Sequence, residues 1–116
     1  MPVLLDCTLR DGGYYTNWNF NNLNVKEYMK AIYEAGIDIV EIGYRTINSD
    51  KYLGPYAYSP ESLIKNLNIP EKLKVSVMIN SSDILNGGNV IESINKIFPF
   101  SCENSQVNIV RIAANI

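Results

Sequence analysis

Four short apolar segments recur along the chain at intervals of about 35 residues, and this period constrains the fold more than any other feature of the sequence. Each segment has the length and the alternation of a β-strand, which predicts strands at residues 3–9, 38–44, 73–80 and 107–113. Between them lie segments with apolar residues at helical spacing, at residues 25–35, 60–67 and 88–98. The predicted order is therefore βαβαβαβ.

Residues with known preferences for helix ends mark the three predicted helices. Asn24 is the predicted N-cap of the first helix, and Gly36 is its predicted terminator. In the second helix, Ser59 is the predicted N-cap and Pro60 takes the first helical position. The third helix follows a predicted turn at Gly87.

The two faces of the predicted strands differ in polarity. Strands joined by helical crossovers run parallel, which leaves an open doubly wound sheet or part of a (β/α)8 barrel. Central strands of a doubly wound sheet are apolar on both faces, whereas these alternate. The predicted interior face carries Asp6, Thr8, Arg10, Glu41, Gly43, Arg45, Ser76, Asn80 and Arg111, and the opposite face carries Cys7, Ile42 and Tyr44. The alternation favours an α/β fold of parallel units from a TIM barrel.

The length indicates how much of a barrel is present. A complete (β/α)8 barrel needs roughly 250 residues, so residues 1–116 form a single domain that amounts to a little under half of one. The sequence ends after the fourth strand without a closing helix, and an isolated half barrel exposes two sheet edges. We therefore expect either the N-terminal half of a longer enzyme or a chain completed by association, with the remainder of the barrel or in a homo-oligomer.

Composition excludes several partners. A net charge of −2, with no run of Lys or Arg, gives no reason to expect nucleic acid or an anionic membrane surface. No apolar run is long enough to span a bilayer. Cys7 and Cys102 have no metal-ligand spacing, which predicts reduced thiols and a cytoplasmic location. The chain has no histidine, so its chemistry must use carboxylates, Arg, Tyr, Lys or Cys.

The densest group of chemically useful residues follows the first predicted strand. Arg10 and Asp11 lie at the strand end, where (β/α)8 enzymes place their active sites, and Glu41 faces the same interior. Asp11 offers an oxygen ligand to Mg²⁺ or Mn²⁺, Arg10 offers a cation to a substrate oxyanion, and Glu41 would hold the guanidinium in place. Alternatively, Arg10, Glu41, Asp6 and Arg111 form a buried ionic network that only fills the interior.

Other candidates have weaker support. Arg45 follows the second strand and either binds a substrate carboxylate or is solvated. Asn80 and Arg111 either line a substrate pocket or pair with each other. Cys7 is expected to be a buried, inert thiol. A tyrosine-rich loop forms either a lid or surface packing, and it contains Tyr52, Tyr56 and Tyr58.

Two motifs carry a resemblance to a known family. The sequence reads DCTLRDGG at residues 6–13 and VEIGY at residues 40–44. This pattern resembles the DRE-TIM metallolyases, the superfamily of 3-hydroxy-3-methylglutaryl-CoA lyase, 4-hydroxy-2-oxovalerate aldolase and isopropylmalate synthase. The likeness is greatest to aldolase-like bacterial members, and at the level of β and α order it covers the whole chain.

The resemblance implies a role for each motif residue. Arg10 corresponds to the arginine that stabilises an enolate, Asp11 to the metal-binding aspartate, and Glu41 to the glutamate that supports the arginine. The implied enzyme is a divalent-metal-dependent aldolase or lyase that breaks or forms a carbon–carbon bond next to the carbonyl of a small 2-oxo acid. Tyr14 stands where the hydroxy-oxovalerate aldolases have a histidine that transfers protons. The family's His-x-His metal ligands are absent from this chain.

Two alternatives remain open. One is a Claisen-type condensing enzyme of the isopropylmalate synthase group, although Tyr14 stands where those synthases usually have Gln. The other is a non-catalytic half barrel that binds a partner or a small acid.

Overall fold

The computed structural model describes residues 1–47, 52–86 and 88–114, which leaves the predicted turn at Gly87 outside the described residues. Its centre is a four-stranded parallel sheet in the order β1-β2-β3-β4. The strands are β1 (Leu5–Asp6), β2 (Ile39–Tyr44), β3 (Lys74–Asn80) and β4 (Ile109–Ala113). Because neighbours in the sheet are also neighbours in sequence, the strand order never reverses as it does in a doubly wound sheet. The predicted α/β fold with barrel-like units is confirmed.

Five α-helices and one 3₁₀ turn connect the strands. The helices are α1 (Thr8–Thr16), α2 (Asn22–Glu34), α3 (Glu61–Asn66), α4 (Ser81–Leu85) and α5 (Val90–Ile97), and the 3₁₀ turn is Pro55–Ala57. The sequence predicted α2, α3 and α5 but neither α1 nor α4. No helix within the described ranges is long and apolar enough to cross a membrane.

The first predicted strand is wrong beyond Asp6. The Asp6 carboxylate accepts hydrogen bonds from the Thr8 backbone N–H and the Thr8 hydroxyl, and this local turn starts α1 instead of extending the strand. Leu9 is buried as a residue of that helix. Arg10 therefore lies in the first turns of a helix that begins directly after β1, rather than on the strand itself.

The helix ends differ in part from those predicted. Asn21, not Asn24, is the N-cap of α2, because its side chain accepts hydrogen bonds from the backbone N–H groups of Leu23 and Asn24. Gly36 follows the helix with a φ of 88°, the left-handed conformation predicted for a glycine terminator. Pro60, not Ser59, precedes the first residue of α3.

The apolar core lies between the sheet and the helices that cover its outer face. Val25, Met29 and Ile32 of α2 pack in one cluster with Val40 and Ile42 of β2. The remaining buried members of the cluster are Leu9, Tyr56, Ile64, Leu67, Leu73, Val75, Val77 and Val107. Tyr56 is thus part of the core, whereas Tyr52 is exposed and stacks on Tyr58, so surface packing describes only part of the tyrosine-rich loop.

A β-bulge in β2 changes which side chains face the interior. Glu41 pairs with Ser76 in β3, but the next pair joins Gly43 to Val77, so Ile42 is an extra residue. One inserted residue reverses the alternation beyond it. Tyr44 therefore faces the interior and Arg45 faces the helices, the opposite of the prediction for both.

The sheet is less covered near its last strand. Val110 and Ile112 of β4 are exposed, as are Ile91 and Ile94 on the predicted apolar stripe of α5. Ile97 is the buried residue of that stripe. The apolar residues of β4 alternate as predicted, but no helix within the described residues covers their face of the strand.

Candidate functional site

A buried carboxylate organises the interior face. The Glu41 side chain is 0 % exposed and pairs with two arginines. Its Oε1 accepts from Arg10 Nε at 2.8 Å, and both of its oxygens accept from Arg111 at 3.2 and 3.3 Å. Ser76 on β3 donates its hydroxyl to Oε2 at 3.1 Å. The structure thus brings together three of the predicted site residues around one negative charge.

The predicted ionic network does not include Asp6. Its carboxylate accepts hydrogen bonds from Thr8 and from the Tyr28 hydroxyl. Burial and this contact raise the pKa of Tyr28 to about 12. Asp6 therefore starts α1 and connects it to α2. The charged groups that contact Glu41 are Arg10 and Arg111.

Arg10 connects Glu41 to residues at the rim of the site. Its Nη1 lies 3.0 Å from Asp11 Oδ1, and the Tyr44 side chain lies beside its guanidinium. Partial burial acts to lower the pKa of Arg10, but the contacts with Tyr44, Asp11 and Glu41 outweigh it and raise the pKa. The guanidinium stays charged and is held in a fixed orientation, as an oxyanion-binding group requires.

Asp11 is the most accessible carboxylate of the group. Its side chain is 63 % exposed; one oxygen faces Arg10 and the other lies 3.8 Å from the sulfur of Cys7. Both cysteines are free thiols, as predicted, although Cys7 is only half-buried. In the described part of the chain, no three His, Cys, Asp or Glu side chains form a metal-ligand set. The described residues therefore place no three-ligand set around Asp11.

Tyr14 and Tyr44 form a hydroxyl pair next to Arg10. Their oxygens are 2.7 Å apart and their rings meet edge to face. The hydrogen bond with Tyr44, followed by burial, raises the pKa of Tyr14 above its ordinary value of 10. Tyr14 therefore holds its proton at neutral pH and is suited to donate a proton rather than to accept one.

A cavity opens beside this tyrosine pair at the carboxyl end of the sheet. Its volume is about 180 Å³, and it is lined by Tyr14, Trp18, Tyr44, Thr46, Leu53, Ala57 and Asn80. Asn80 is the last residue of β3. Of the two predicted pocket residues, Asn80 lines this cavity, while Arg111 donates to Glu41 instead.

Arg45 lies in a separate cluster on the outer side of the sheet. It is 3 % exposed and donates to the carbonyls of Ser59 and Ile97 and to Glu61. Its guanidinium also lies 5.1 Å from the ring centre of Phe98. The structure does not bring Arg45 together with Arg10, and its role in substrate binding stays a prediction.

The sequence did not predict two residues of the site. Tyr44 lies beside Arg10, and Ser76 donates a hydrogen bond to Glu41. Gly43 is the signal that identifies the first, because an isolated glycine in a strand often marks a bulge or a close backbone approach. A Cβ on Gly43 would lie 2.0 Å from the carbonyl oxygen of Tyr56. Nothing in the sequence marks Ser76 as a partner of Glu41.

Two known proteins are similar to this chain. An oxaloacetate decarboxylase from Mycobacterium tuberculosis (strain ATCC 25618 / H37Rv) is 34% identical over 65 residues, which are 55% of this chain and 19% of that protein. The fold is similar to the crystal structure of the N-terminal domain of a putative aldolase from Bacteroides vulgatus, with a TM-score of 0.71. The two sequences are 38% identical. The match covers 96% of this chain and 35% of that structure.

No protein-family model matches the chain. The chain spans about a fifth of the decarboxylase and about a third of the solved aldolase chain. The similarity to the aldolase structure extends over almost all of this chain, and it agrees with the partial barrel observed here.

Proposed function

We propose that this chain provides the enolate-binding part of a carbon–carbon lyase that acts on small 2-oxo acids. The observation that carries the proposal is the Arg10 guanidinium, which is fixed by buried Glu41 and lies beside the protonated Tyr14. Arg10 and Arg111 share Glu41, and Arg10 also pairs with the exposed Asp11. The fixed N–H groups of Arg10 favour a ligand oxygen that carries negative charge.

The proposed reaction breaks the bond between the third and fourth carbons of a 2-oxo acid. The electron pair of that bond becomes the double bond of an enolate, and negative charge moves to the oxygen on the second carbon. Arg10 stabilises this charge, which is greater in the enolate than in the substrate. Tyr14 then supplies a proton to the third carbon, which gives pyruvate.

The fate of the fourth carbon separates two versions of the reaction. In an aldol cleavage it leaves as an aldehyde, and a base must take the proton of its hydroxyl group. In a decarboxylation it leaves as carbon dioxide, and no base is needed. The names of the two similar proteins correspond to these two versions. Tyr14 keeps its proton and the chain has no histidine, so the base that an aldol cleavage needs would come from another group.

Asp11 is the residue of this chain proposed to contact a divalent cation. Its exposed carboxylate is a suitable oxygen ligand for Mg²⁺ or Mn²⁺. The remaining ligands would come from outside the described residues, as the family resemblance implies. A bound cation would polarise the carbonyl of the 2-oxo acid.

The test is pyruvate release by the protein purified from its natural source and by its recombinant variants. Oxaloacetate and 4-hydroxy-2-oxovalerate are supplied in turn with Mn²⁺, and pyruvate is measured with lactate dehydrogenase. Arg10→Ala is expected to lower turnover by about 10²–10³-fold, the usual loss on removal of one oxyanion-binding group. Lys74→Ala is the matched control, because Lys74 is exposed at the opposite end of β3.

Two results would contradict the proposal. Equal activity of Arg10→Ala and the natural protein would remove Arg10 from the mechanism. A natural protein that releases no pyruvate from either substrate would overturn the lyase assignment. Release of the coenzyme A thiol from acetyl-CoA with a 2-oxo acid would then identify the Claisen alternative, and binding without turnover would identify the non-catalytic one.

A further inference from the structure

We infer that the cavity beside Arg10 is a binding subsite for an uncharged, largely apolar tail on the 2-oxo acid. The inference rests on the proposed function, since it concerns the substrate of the same site. Tyr14 and Tyr44 line the cavity with their hydroxyl oxygens 2.7 Å apart, and both side chains lie near Arg10. A substrate whose enolate oxygen lies at Arg10 therefore has the cavity directly beside it.

The walls of the cavity determine what it accepts. The rings of Tyr14, Trp18 and Tyr44 meet edge to face, with centres 4.8 to 6.3 Å apart. Leu53 and Ala57 add aliphatic surface, Asn80 adds an amide, and Thr46 adds a hydroxyl that donates to Asp83. No carboxylate, Lys or Arg lines the cavity within the described residues. A charged tail would lose its hydration here without gaining a partner, whereas an apolar tail gains from burial.

The size of the cavity limits the tail. A volume of about 180 Å³ accommodates about six water-sized groups, at ~30 Å³ for each. A chain of a few carbons fits, and an adenine nucleotide or a coenzyme A arm does not. The subsite therefore favours short alkyl or hydroxyalkyl tails.

Two unusual backbone features hold Trp18 in the cavity wall. Asn17 and Trp18 both have left-handed backbone angles, with φ of 54° and 53°. Such backbone angles are strained for residues other than glycine, and they are concentrated at functional sites. Gly13 is also needed, because a Cβ there would lie 2.0 Å from the indole ring. Hydrogen bonds from Gly54 to Asn17 and from Tyr56 to Trp18 fix this turn in place.

The experiment uses Trp18 as its own reporter. It is the one tryptophan in the sequence, so its fluorescence responds to ligands that fill the cavity. The probes are 2-hydroxy acids of increasing length, from lactate to 2-hydroxyhexanoate, which have the shape of the proposed substrates but cannot be cleaved in the same way. We expect the dissociation constant to fall about fourfold for each added methylene, the factor that corresponds to burial of one such group.

A charged probe and a pair of matched variants sharpen the test. 2-Hydroxyglutarate has the same carbon chain length as 2-hydroxypentanoate, and we expect it to bind at least about tenfold more weakly because of its second carboxylate. Leu53→Phe fills the cavity from a half-buried loop position and should abolish the dependence on chain length. Leu23→Phe makes the same change at an exposed position and should preserve that dependence.

The outcomes separate this inference from the proposed function. Equal affinity for all chain lengths, or equal affinity for 2-hydroxyglutarate, would overturn the subsite. A length dependence that survives Leu53→Phe would place the tail elsewhere and would also overturn it. If the length dependence is present but Arg10→Ala leaves turnover unchanged, the subsite stands and the proposed function fails.

Discussion

Two buried arginine–glutamate clusters lie on opposite faces of the same sheet, and they differ in which partner is fully enclosed. At Glu41 the carboxylate is enclosed, and its two arginines extend toward solvent; Arg111 is 43 % exposed. At Arg45 the guanidinium is enclosed, and its donors bind Glu61 and two backbone carbonyls. Where the carboxylate is enclosed, the arginines around it keep N–H groups that can bind a ligand. Where the guanidinium is enclosed, its N–H groups are already bonded to protein oxygens. We therefore propose that the first cluster binds a ligand and that the second stabilises the fold.

Substitution of the two arginines by alanine is the strongest test of this difference. Arg45→Ala removes one of the partners of Glu61 and the donor to two backbone carbonyls, so we expect a loss of about 3–5 kcal/mol in the free energy of unfolding. Arg10→Ala leaves Glu41 paired with Arg111 and Ser76, and we expect a loss of about 1 kcal/mol. Urea denaturation followed by circular dichroism measures both. Equal losses would show that the two arginines contribute equally to stability and would contradict the proposed difference between the clusters.

Removal of the buried negative charge is expected to have a smaller effect than the loss of Arg45. Glu41→Gln keeps the size of the side chain but leaves two neighbouring guanidinium groups without their counterion. Because both arginines retain some contact with water, we expect a loss of about 1–3 kcal/mol in the free energy of unfolding. Glu71→Gln, at an exposed position, is the control and should change it by less than about 0.5 kcal/mol. A Glu41→Gln protein as stable as its control would contradict the assignment.

The pH dependence of stability gives the smallest expected effect and concerns the second cluster. Burial acts to raise the pKa of Glu61, but hydrogen bonds from Ser105, Gln106 and Arg45 lower it below the ordinary value of 4.5. A lowered pKa in the folded protein stabilises it above pH 4.5, and this stabilisation is lost as the pH falls through the folded-state value.

Glu61→Gln provides the comparison for this titration. Urea midpoints of the natural chain and of Glu61→Gln should differ by a constant amount between pH 6 and 7. The difference should shrink as the pH falls below 4.5. A difference that does not change with pH would mean that the charge of Glu61 contributes nothing.

Much of the architecture was predictable because it depends on periodic patterns. The 35-residue recurrence and the apolar faces identified the four parallel strands and three of the helices. The errors occur where short-range polar contacts override the pattern. Hydrogen bonds from Thr8 to Asp6 end β1 early, and the Asn21 side chain starts α2 one turn before the predicted position.

The faces of the β2 residues were predicted correctly before the bulge and wrongly after it. Glu41 lies before the extra residue, and its contact with Arg10 is the one expected from the alternation. Tyr44 and Arg45 lie after it, and each faces the side predicted for the other. An alternation rule carries no information about an inserted residue, so only the structure places these two side chains.

The bulge also makes the chemistry of the interior depend on a single insertion. If Ile42 itself paired with Val77, the regular alternation would be restored, and Arg45 would turn inward and Tyr44 outward. The interior would then gain a third arginine, and the aromatic wall beside Tyr14 would lose a ring. Among chains built on this sheet, the presence of this bulge therefore decides which β2 residues face the interior, and relatives should be aligned here by the face of each residue rather than by its number.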